Sequence, residues 1–285
     1  MKALMAIFVS LILISSGVMV ISPAIAIPDN ASDKAKVKVP ENAVEIAPGI
    51  FSLGSVIHHG EVVEGLMIFH HRAGHSGGPG GGGGGDTGGT TTGDDSKCFT
   101  FLAKGAKWKG IAEPWIVNPS NDKGLTESEI LPRLSANIEQ WEDASGTNIL
   151  GDGGVTTDPL VADTKSPDDK NEVYFADVDS PGAIAVTIVW GYFSGPPFAR
   201  ELIEWDQVYD DFDYDWSLDA PEDEVRQMDF DNIAAHELGH TVGMGHSPTD
   251  DVCLEQTMYP TAAFEEIIKR SLELGDRTGV AKLYS

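Results

Sequence analysis

Residues 235–246 read Ala-His-Glu-Leu-Gly-His-Thr-Val-Gly-Met-Gly-His, and this stretch decides how the rest of the sequence is interpreted. On a helix, His236 and His240 are four residues apart and share one face, so that both imidazoles can reach one metal ion. Glu237 projects beside them, close enough to act on a metal-bound water without binding the ion itself. The spacing therefore predicts a helix that carries two metal ligands and a general base.

Two later residues of the same stretch complete the predicted ligand set. Gly243 permits a sharp reversal of the chain, which we expect to use a positive φ. The reversal brings His246 back as a third ligand. Three neutral imidazoles with one open position are typical of a catalytic zinc site, whereas closed structural sites use four protein ligands. The alternatives are a helix with solvated histidines, or a helix that binds zinc without chemistry. Glu237 argues against the second, because a pure ligand set has no use for that carboxylate.

The motif resembles the zinc-binding motif of the metzincin metalloproteases, and Ser247 after the third histidine resembles the matrixin branch. Residues 257–260, Thr-Met-Tyr-Pro, resemble the matrixin Met-turn, which places Met258 beneath the zinc site. The resemblance spans most of residues 98–285. Weaker matches are the opening strand, the acidic strand and loop before the motif, and the final helix, at residues 107–118, 204–216 and 274–284.

The resemblance implies an α+β fold, a metzincin-like zincin. We expect a twisted, mixed five-stranded sheet on two long helices, and a small C-terminal subdomain with a third helix. The residue patterns agree with this order of elements. A capping box at Thr126–Glu129 predicts the first helix, in which Pro132 should cause a kink or a later start. The other predicted elements are strands near 114–118, 173–178, 183–193 and 202–209, and helices near 229–242 and 278–284.

Composition divides the chain into four parts. Residues 1–26 have a positive start, an apolar run and a small-x-small site, which predicts a secretory signal peptide; an uncleaved membrane anchor is the alternative. Residues 27–73 form a small, propeptide-like β region. Residues 74–97 are a glycine-rich linker. Residues 98–285 form the catalytic domain.

The N-terminal β region contains two short apolar runs, Ile50–Leu53 and Gly65–Phe69. The polar stretch His58–Glu61 between them has a turn-forming glycine, so we expect a hairpin. The region is too small for a large core of its own and should pack on something else. Its histidines allow auxiliary metal binding, but polar residues beside a turn and a linker are the favoured interpretation; they are His58, His59, His70, His71 and His75.

The charge balance excludes two classes of partner. The chain has 19 Lys and Arg against 45 Asp and Glu, a formal net charge of −26. This disfavours nucleic acid and anionic membrane surfaces, which attract basic patches. An extracellular solute, a calcium binder and a high-salt environment all remain open. The acidic run between Asp206 and Glu224 either binds Ca²⁺ or is a solvated surface, and its spacing matches no EF-hand loop.

The resemblance implies a secreted zinc-dependent endopeptidase that acts on extracellular proteins or peptides. His236, His240 and His246 would bind one catalytic Zn²⁺. Glu237 would be the general base for water, and its replacement by alanine should keep zinc and abolish proteolysis. Tyr259 and Pro260 would line the pocket that receives the residue after the scissile bond, and we expect no tyrosine to bind the zinc ion. We expect substrate to pair with an edge strand within residues 183–190.

Other expectations concern cysteines, further metals and assembly. Cys98 and Cys253 are either bridged or two unrelated thiols. We favour the disulfide, because export permits it and the flanks of Cys98 do not match the matrixin cysteine switch.

No second structural zinc is expected, since no histidine lies between His75 and His236. We expect a monomer without stable membrane insertion after signal cleavage; if the signal is not cleaved, the cell surface would retain it.

A secreted adhesion or binding protein that keeps the fold and the zinc without turnover is the alternative function. Glu237 distinguishes the two, because a binding module does not need this carboxylate. Hydrolysis of casein or gelatin, with and without a chelator, is the observation that separates them.

Overall fold

A mixed β-sheet of nine strands organises the described residues. A computed structural model describes residues 36–74, 94–112, 114–218 and 226–285. The predicted signal peptide, His75, most of the predicted linker and residues 219–225, which hold the last four residues of the acidic run, lie outside these ranges. All described residues belong to one compact unit, 33–285.

The strands of the described residues are Val44–Ala47 (β1), Ile50–His58 (β2), Glu61–Arg72 (β3), Thr100–Phe101 (β4), Trp115–Val117 (β5), Gly153–Val155 (β6), Asn171–Ala176 (β7), Ala183–Tyr192 (β8), Glu201–Asp210 (β9), Asp215–Ser217 (β10), Gln227–Asp229 (β11), Met244–Gly245 (β12) and Thr261–Ala262 (β13). The expected mixed five-stranded sheet is present, in the order β6-β5-β7-β9-β8. The first four of these strands are parallel, and β8 is antiparallel to β9. Three N-terminal strands extend the sheet beyond β8 in the order β3-β2-β1, and the short β13 also pairs with β3. The α+β class is therefore confirmed, with more strands than expected.

Three α-helices accompany these strands in the described part of the chain: Glu127–Ser145 (α1), Phe230–Thr241 (α2) and Leu274–Tyr284 (α3). The helix α1 begins where the sequence predicted and is not delayed by Pro132, but Thr126 makes no side-chain capping bond. The helix α3 begins four residues earlier than predicted. A capping box between Glu273 and Asp276 satisfies its first backbone N–H groups.

Alternation along the strands sorts the apolar side chains into two clusters, one on each face of the sheet. The larger cluster joins the three helices to one face; for example, Leu66 and Ile68 of β3 contribute to it. The smaller cluster contains Met67 and Phe69 from the other face of the same strand. The strand β3 is therefore buried on both faces over residues 65–70.

The prediction that residues 183–190 form an open edge strand is wrong. The strand β8 pairs with β9 on one side and with β3 on the other, over residues 64–71 of β3. The apolar alternation of β8 could not show this, because it reports burial of the two faces and not the pairing of the edges. The predicted hairpin of the N-terminal region is present as β2 and β3 and covers this edge.

A disulfide joins Cys98 to Cys253 in the structure, with their Cα atoms 5.4 Å apart. It ties the start of the C-terminal region to the loop that follows His246. Within the described ranges, no helix is long and apolar enough to cross a bilayer.

Candidate metal centre

The helix α2 places two of the predicted ligands side by side. Its N-cap residue Asp229 accepts a hydrogen bond from the backbone N–H of Asn232 at 2.8 Å, which satisfies one orphan donor of the first turn. His236 and His240 lie one turn apart on the buried face of the helix, with ring centroids 4.8 Å apart. The helix therefore presents the two imidazoles in the predicted arrangement.

A glycine ends α2 and returns the chain to the site. Gly243 has φ +97°, and its N–H donates to the carbonyl of His240 at 2.9 Å. A Cβ at this position would lie 2.7 Å from the carbonyl oxygen of Ala106, so a side chain is excluded by space as well as by conformation. The reversal brings the ring of His246 to centroid distances of 5.2 Å from His236 and 4.9 Å from His240.

Backbone carbonyls orient the first two histidines. Nδ1 of His236 lies 2.7 Å from the carbonyl oxygen of Thr257, and Nδ1 of His240 lies 2.9 Å from that of Met244. Because a carbonyl only accepts, each Nδ1 donates, and each Nε2 keeps a free lone pair. These second bonds fix the ring orientation as they do in metal sites.

The three Nε2 atoms fit a metal ion. Those of His236 and His240 are 3.2 Å apart, and Nε2 of His246 is buried without a hydrogen-bond partner. Burial lowers the pKa of all three imidazoles, and their mutual charges contribute for His236 and His246. Neutral imidazole is the form that binds metal, so this donor set suits Zn²⁺.

Glu237 is buried next to the ligands and is held by one hydroxyl. Oγ1 of Thr187, on β8, donates to its Oε2 at 2.5 Å, whereas its Oε1 has no hydrogen-bond partner. Burial raises the pKa of Glu237 to about 7, against the opposing effects of His240 and Thr187. A carboxylate with a pKa near neutrality can both take up and release a proton, as a general base must.

The predicted Met-turn packs beneath α2. Met258 is fully buried, and a Cβ on Gly239 would lie 2.2 Å from its sulfur, so the thioether contacts the helix backbone directly. The carboxylate of Asp276, in α3, accepts the N–H groups of Thr257 at 2.8 Å and Met258 at 3.2 Å. The final helix thus fixes the turn that carries Met258.

Tyr259 and Pro260 are half-buried and lead directly into β13. The ammonium group of Lys269 lies 5.5 Å from the centre of the Tyr259 ring. Their predicted role in a substrate pocket stays a prediction. What the structure adds is that the segment following them pairs with β3.

His70, which the sequence did not assign to the centre, contacts it. Its ring stacks on that of His236 at a centroid distance of 3.7 Å, and its Nδ1 lies 3.3 Å from Oε1 of Glu237. Burial, with the charge of Lys269, lowers the pKa of His70 to about 3. The alternation of β3 was the signal: Leu66, Ile68 and His70 share the face toward the helices.

Two other groups bring potential ligands together. Asp163, Glu204 and Asp206 form one of them, which includes the first residue of the predicted calcium run. Carboxylates of this group accept hydrogen bonds from backbone N–H groups. The carboxylate of Asp206 accepts from the N–H of Asp163 at 2.8 Å, and that of Glu204 accepts from the N–H of Asp168 at 2.8 Å. The other group is His58, His59 and Asp169, in which both imidazoles contact the same carboxylate at the surface.

Comparison with known proteins agrees with this geometry. The sequence model of the matrixin family matches residues 198–285, which hold α2, the three histidines, Met258 and α3. Metalloendoproteinase 4-MMP of Arabidopsis thaliana is 33% identical over 70 residues, which are 24% of this chain and 19% of that protein. Matrix metalloproteinase-2 of Drosophila melanogaster is 35% identical over 74 residues, 26% of this chain and 9% of that protein.

These matches support the predicted matrixin-like metalloprotease domain. The aligned region spans at most 19% of the length of the two curated relatives. The family match begins at residue 198, so that the strands β1–β3 and the residue His70 lie outside it.

Proposed function

We propose, from the matrixin match to residues 198–285, that the chain is a secreted zinc-dependent endopeptidase of extracellular proteins and peptides. The observation that carries the proposal is the convergence of three imidazoles, two of them buried and oriented by backbone carbonyls, beside the buried carboxylate of Glu237. A structural site would not need that carboxylate.

The chain supplies ligands, a base and a fixed geometry. His236, His240 and His246 would hold the ion through Nε2. Glu237 would accept a proton from the attacking water at Oε1, the oxygen without a partner, and pass it to the leaving amine. Thr187 would keep Oε2 in place during both transfers. A zinc ion held there supplies Lewis-acid chemistry, which activates water and polarises the scissile carbonyl.

Export is supported by two features of the chain. Residues 1–26 have the composition of a signal peptide, and Cys98 and Cys253 form a disulfide, which persists in oxidising compartments. The excess of acidic residues suits an extracellular solute. Peptide and protein substrates follow from the reaction class, with Tyr259 and Pro260 lining the pocket that receives the residue after the scissile bond.

The test combines metal analysis with casein hydrolysis by the zinc-loaded chain, before and after limited proteolysis. We expect zinc in the chain and hydrolysis that a chelator abolishes and added zinc restores. A matched His246→Ala variant should lose both zinc and hydrolysis. If the chain retains zinc but hydrolyses casein neither before nor after limited proteolysis, the proposal is contradicted and a metal-containing binding module is favoured.

A further inference from the structure

The strand β3 lies across the metal centre, between two segments of the C-terminal region. It pairs antiparallel with β8, from Glu64 opposite Gly191 to His71 opposite Ala183. On its other side, His71 and Arg72 pair in parallel with β13. Further backbone bonds, such as that from the N–H of Ala73 to the carbonyl of Ala262 at 2.9 Å, continue this pairing. Beside the centre, the backbone of β3 therefore pairs with the edge of β8 on one side and with the edge of β13 on the other.

An extended peptide that paired with the edge of β8 would take the position that β3 has in the structure. Peptides add to exposed sheet edges through main-chain hydrogen bonds, and their alternate side chains enter pockets beneath the strand. The edge of β8 is already filled by β3, and the side chain directed from β3 toward α2 at the centre is His70.

The environment of His70 indicates a role at the centre and not in folding. Its ring is fully buried, and its Nδ1 lies 3.3 Å from Oε1 of Glu237, although neither atom makes a hydrogen bond of good geometry. Burying polar atoms without good hydrogen bonds costs free energy, so the packing of the strand does not by itself explain an imidazole at this position. The imidazole is aimed at the reactive groups instead.

A thiol cannot block the site in this chain. Cys98 and Cys253 are its only cysteines, and both are in the disulfide. Any occlusion of the centre must therefore use another group.

We propose that residues 61–72 are an intramolecular ligand of the cleft, in which β3 takes the place of a substrate strand and His70 fills the space beside His236 and Glu237. This inference rests on the proposed function, because it assigns the cleft along β8 to peptides. It predicts that the full chain is latent and that a peptide binds only by displacing β3. The apparent affinity of any such ligand is then reduced by the fraction of chains in which β3 has left the cleft.

The experiment uses the zinc-loaded full chain and a short peptide hydroxamate, in which the hydroxamate is a bidentate zinc chelator. Calorimetry measures its binding to the wild type, to His70→Ala and to His71→Ala. The last is the matched control, because it removes the same ring from the same strand on the opposite face. Hydrogen exchange is followed for residues 61–72, with β7 as an internal reference.

We expect His70→Ala to bind the hydroxamate about tenfold or more tightly than the wild type, because the strand is held less firmly in the cleft. His71→Ala should bind like the wild type. In every chain that binds, the amides of residues 61–72 that are bonded to β8 should lose protection, while those of β7 keep it. Equal affinity of wild type and His70→Ala, or binding with β3 still protected, would overturn the proposal, as would no binding by any zinc-loaded chain.

Hydrolysis of a quenched fluorescent peptide by the same samples separates this proposal from the proposed function. If His70→Ala binds the hydroxamate tightly with release of β3 but hydrolyses no peptide, occlusion stands and the peptidase assignment fails. If wild type and His70→Ala hydrolyse the peptide equally, the peptidase assignment stands and occlusion fails.

Discussion

Glu237 depends on a residue from a different part of the chain for its orientation. Its only side-chain hydrogen bond among the described contacts comes from Thr187, fifty positions earlier in the sequence. The helix spacing predicts Glu237 and its neighbouring ligands, but it contains no information about β8. Thr187 could be found only after β8 was known to pass over α2, because its own strand pattern is that of a buried residue.

Replacing Thr187 by valine tests its positioning role. The change keeps the shape but removes the donor, so kcat should fall by roughly tenfold to a hundredfold through misplacement of the base. The assay is peptide hydrolysis by the zinc-loaded chain in the His70→Ala background, as a function of pH.

Thr187→Ser, which restores the hydroxyl, should recover most of the rate. Zinc content should be the same in all three chains. A Thr187→Val chain with an unchanged rate and pH profile would show that Glu237 needs no such support.

Glu204 is a second residue for which burial determines the charge. Burial and the neighbouring Asp163 raise its pKa to about 8 from an ordinary value of 4.5. Because the folded state holds the proton more tightly than the unfolded state, the contribution of Glu204 to stability is complete below about pH 4.5 and is lost as the pH rises toward about 8.

Glu204→Gln should therefore become more stable relative to the wild type as the pH rises. Denaturant unfolding at about pH 5 and at about pH 9 measures the two differences in free energy of unfolding. The advantage of the variant should be greater at the higher pH. A constant difference across this range would show that Glu204 titrates normally in the fold.

At the scale of elements, α2 and the Met-turn form one packed unit. The local sequence predicted this helix within one residue at each end, because its cap, histidine spacing and terminal glycine are all local signals. It did not predict how closely Met258 approaches the helix. That distance depends on Asp276 in α3, which holds the turn through two backbone N–H groups.

Gly239→Ala should disturb this contact. The new methyl group would lie 2.2 Å from the sulfur of Met258 and 2.7 Å from the ring of Trp141, so the core must shift. We expect a loss of about 1–3 kcal/mol in stability and weaker zinc binding, measured by denaturant unfolding and metal titration. Gly154→Ala, where nothing lies within 4 Å, is the matched control. Equal stability of the two variants would contradict the packing described here.

The pairing of β8 with β3 is the feature of the sheet that could not be predicted from the sequence. Strand patterns report which faces are buried, and β8 reads the same whether its edge is open or covered. The hairpin β2–β3 could be predicted from its two apolar runs and the glycine of its turn. Its partner could not, because pairing over more than a hundred residues leaves no local signal.

At the scale of the whole molecule, the disulfide closes a loop of 155 residues that contains α1 and the metal centre. Constraining so long a loop lowers the entropy of the unfolded chain. The double variant Cys98→Ser, Cys253→Ser should lose about 2–5 kcal/mol of stability in denaturant unfolding. A midpoint equal to that of the oxidised wild type would show that the bridge is dispensable.

The proposed function requires the three histidines and Glu237 to form a hydrolytic centre. The most direct measurement is the rate of peptide hydrolysis by zinc-loaded His70→Ala and by the same chain with Glu237→Ala added, with zinc content determined on both samples. We expect equal zinc in the two samples and a rate that falls by roughly 10²–10⁴ when the carboxylate is removed. Equal rates in the two chains, with zinc bound to both, would contradict it.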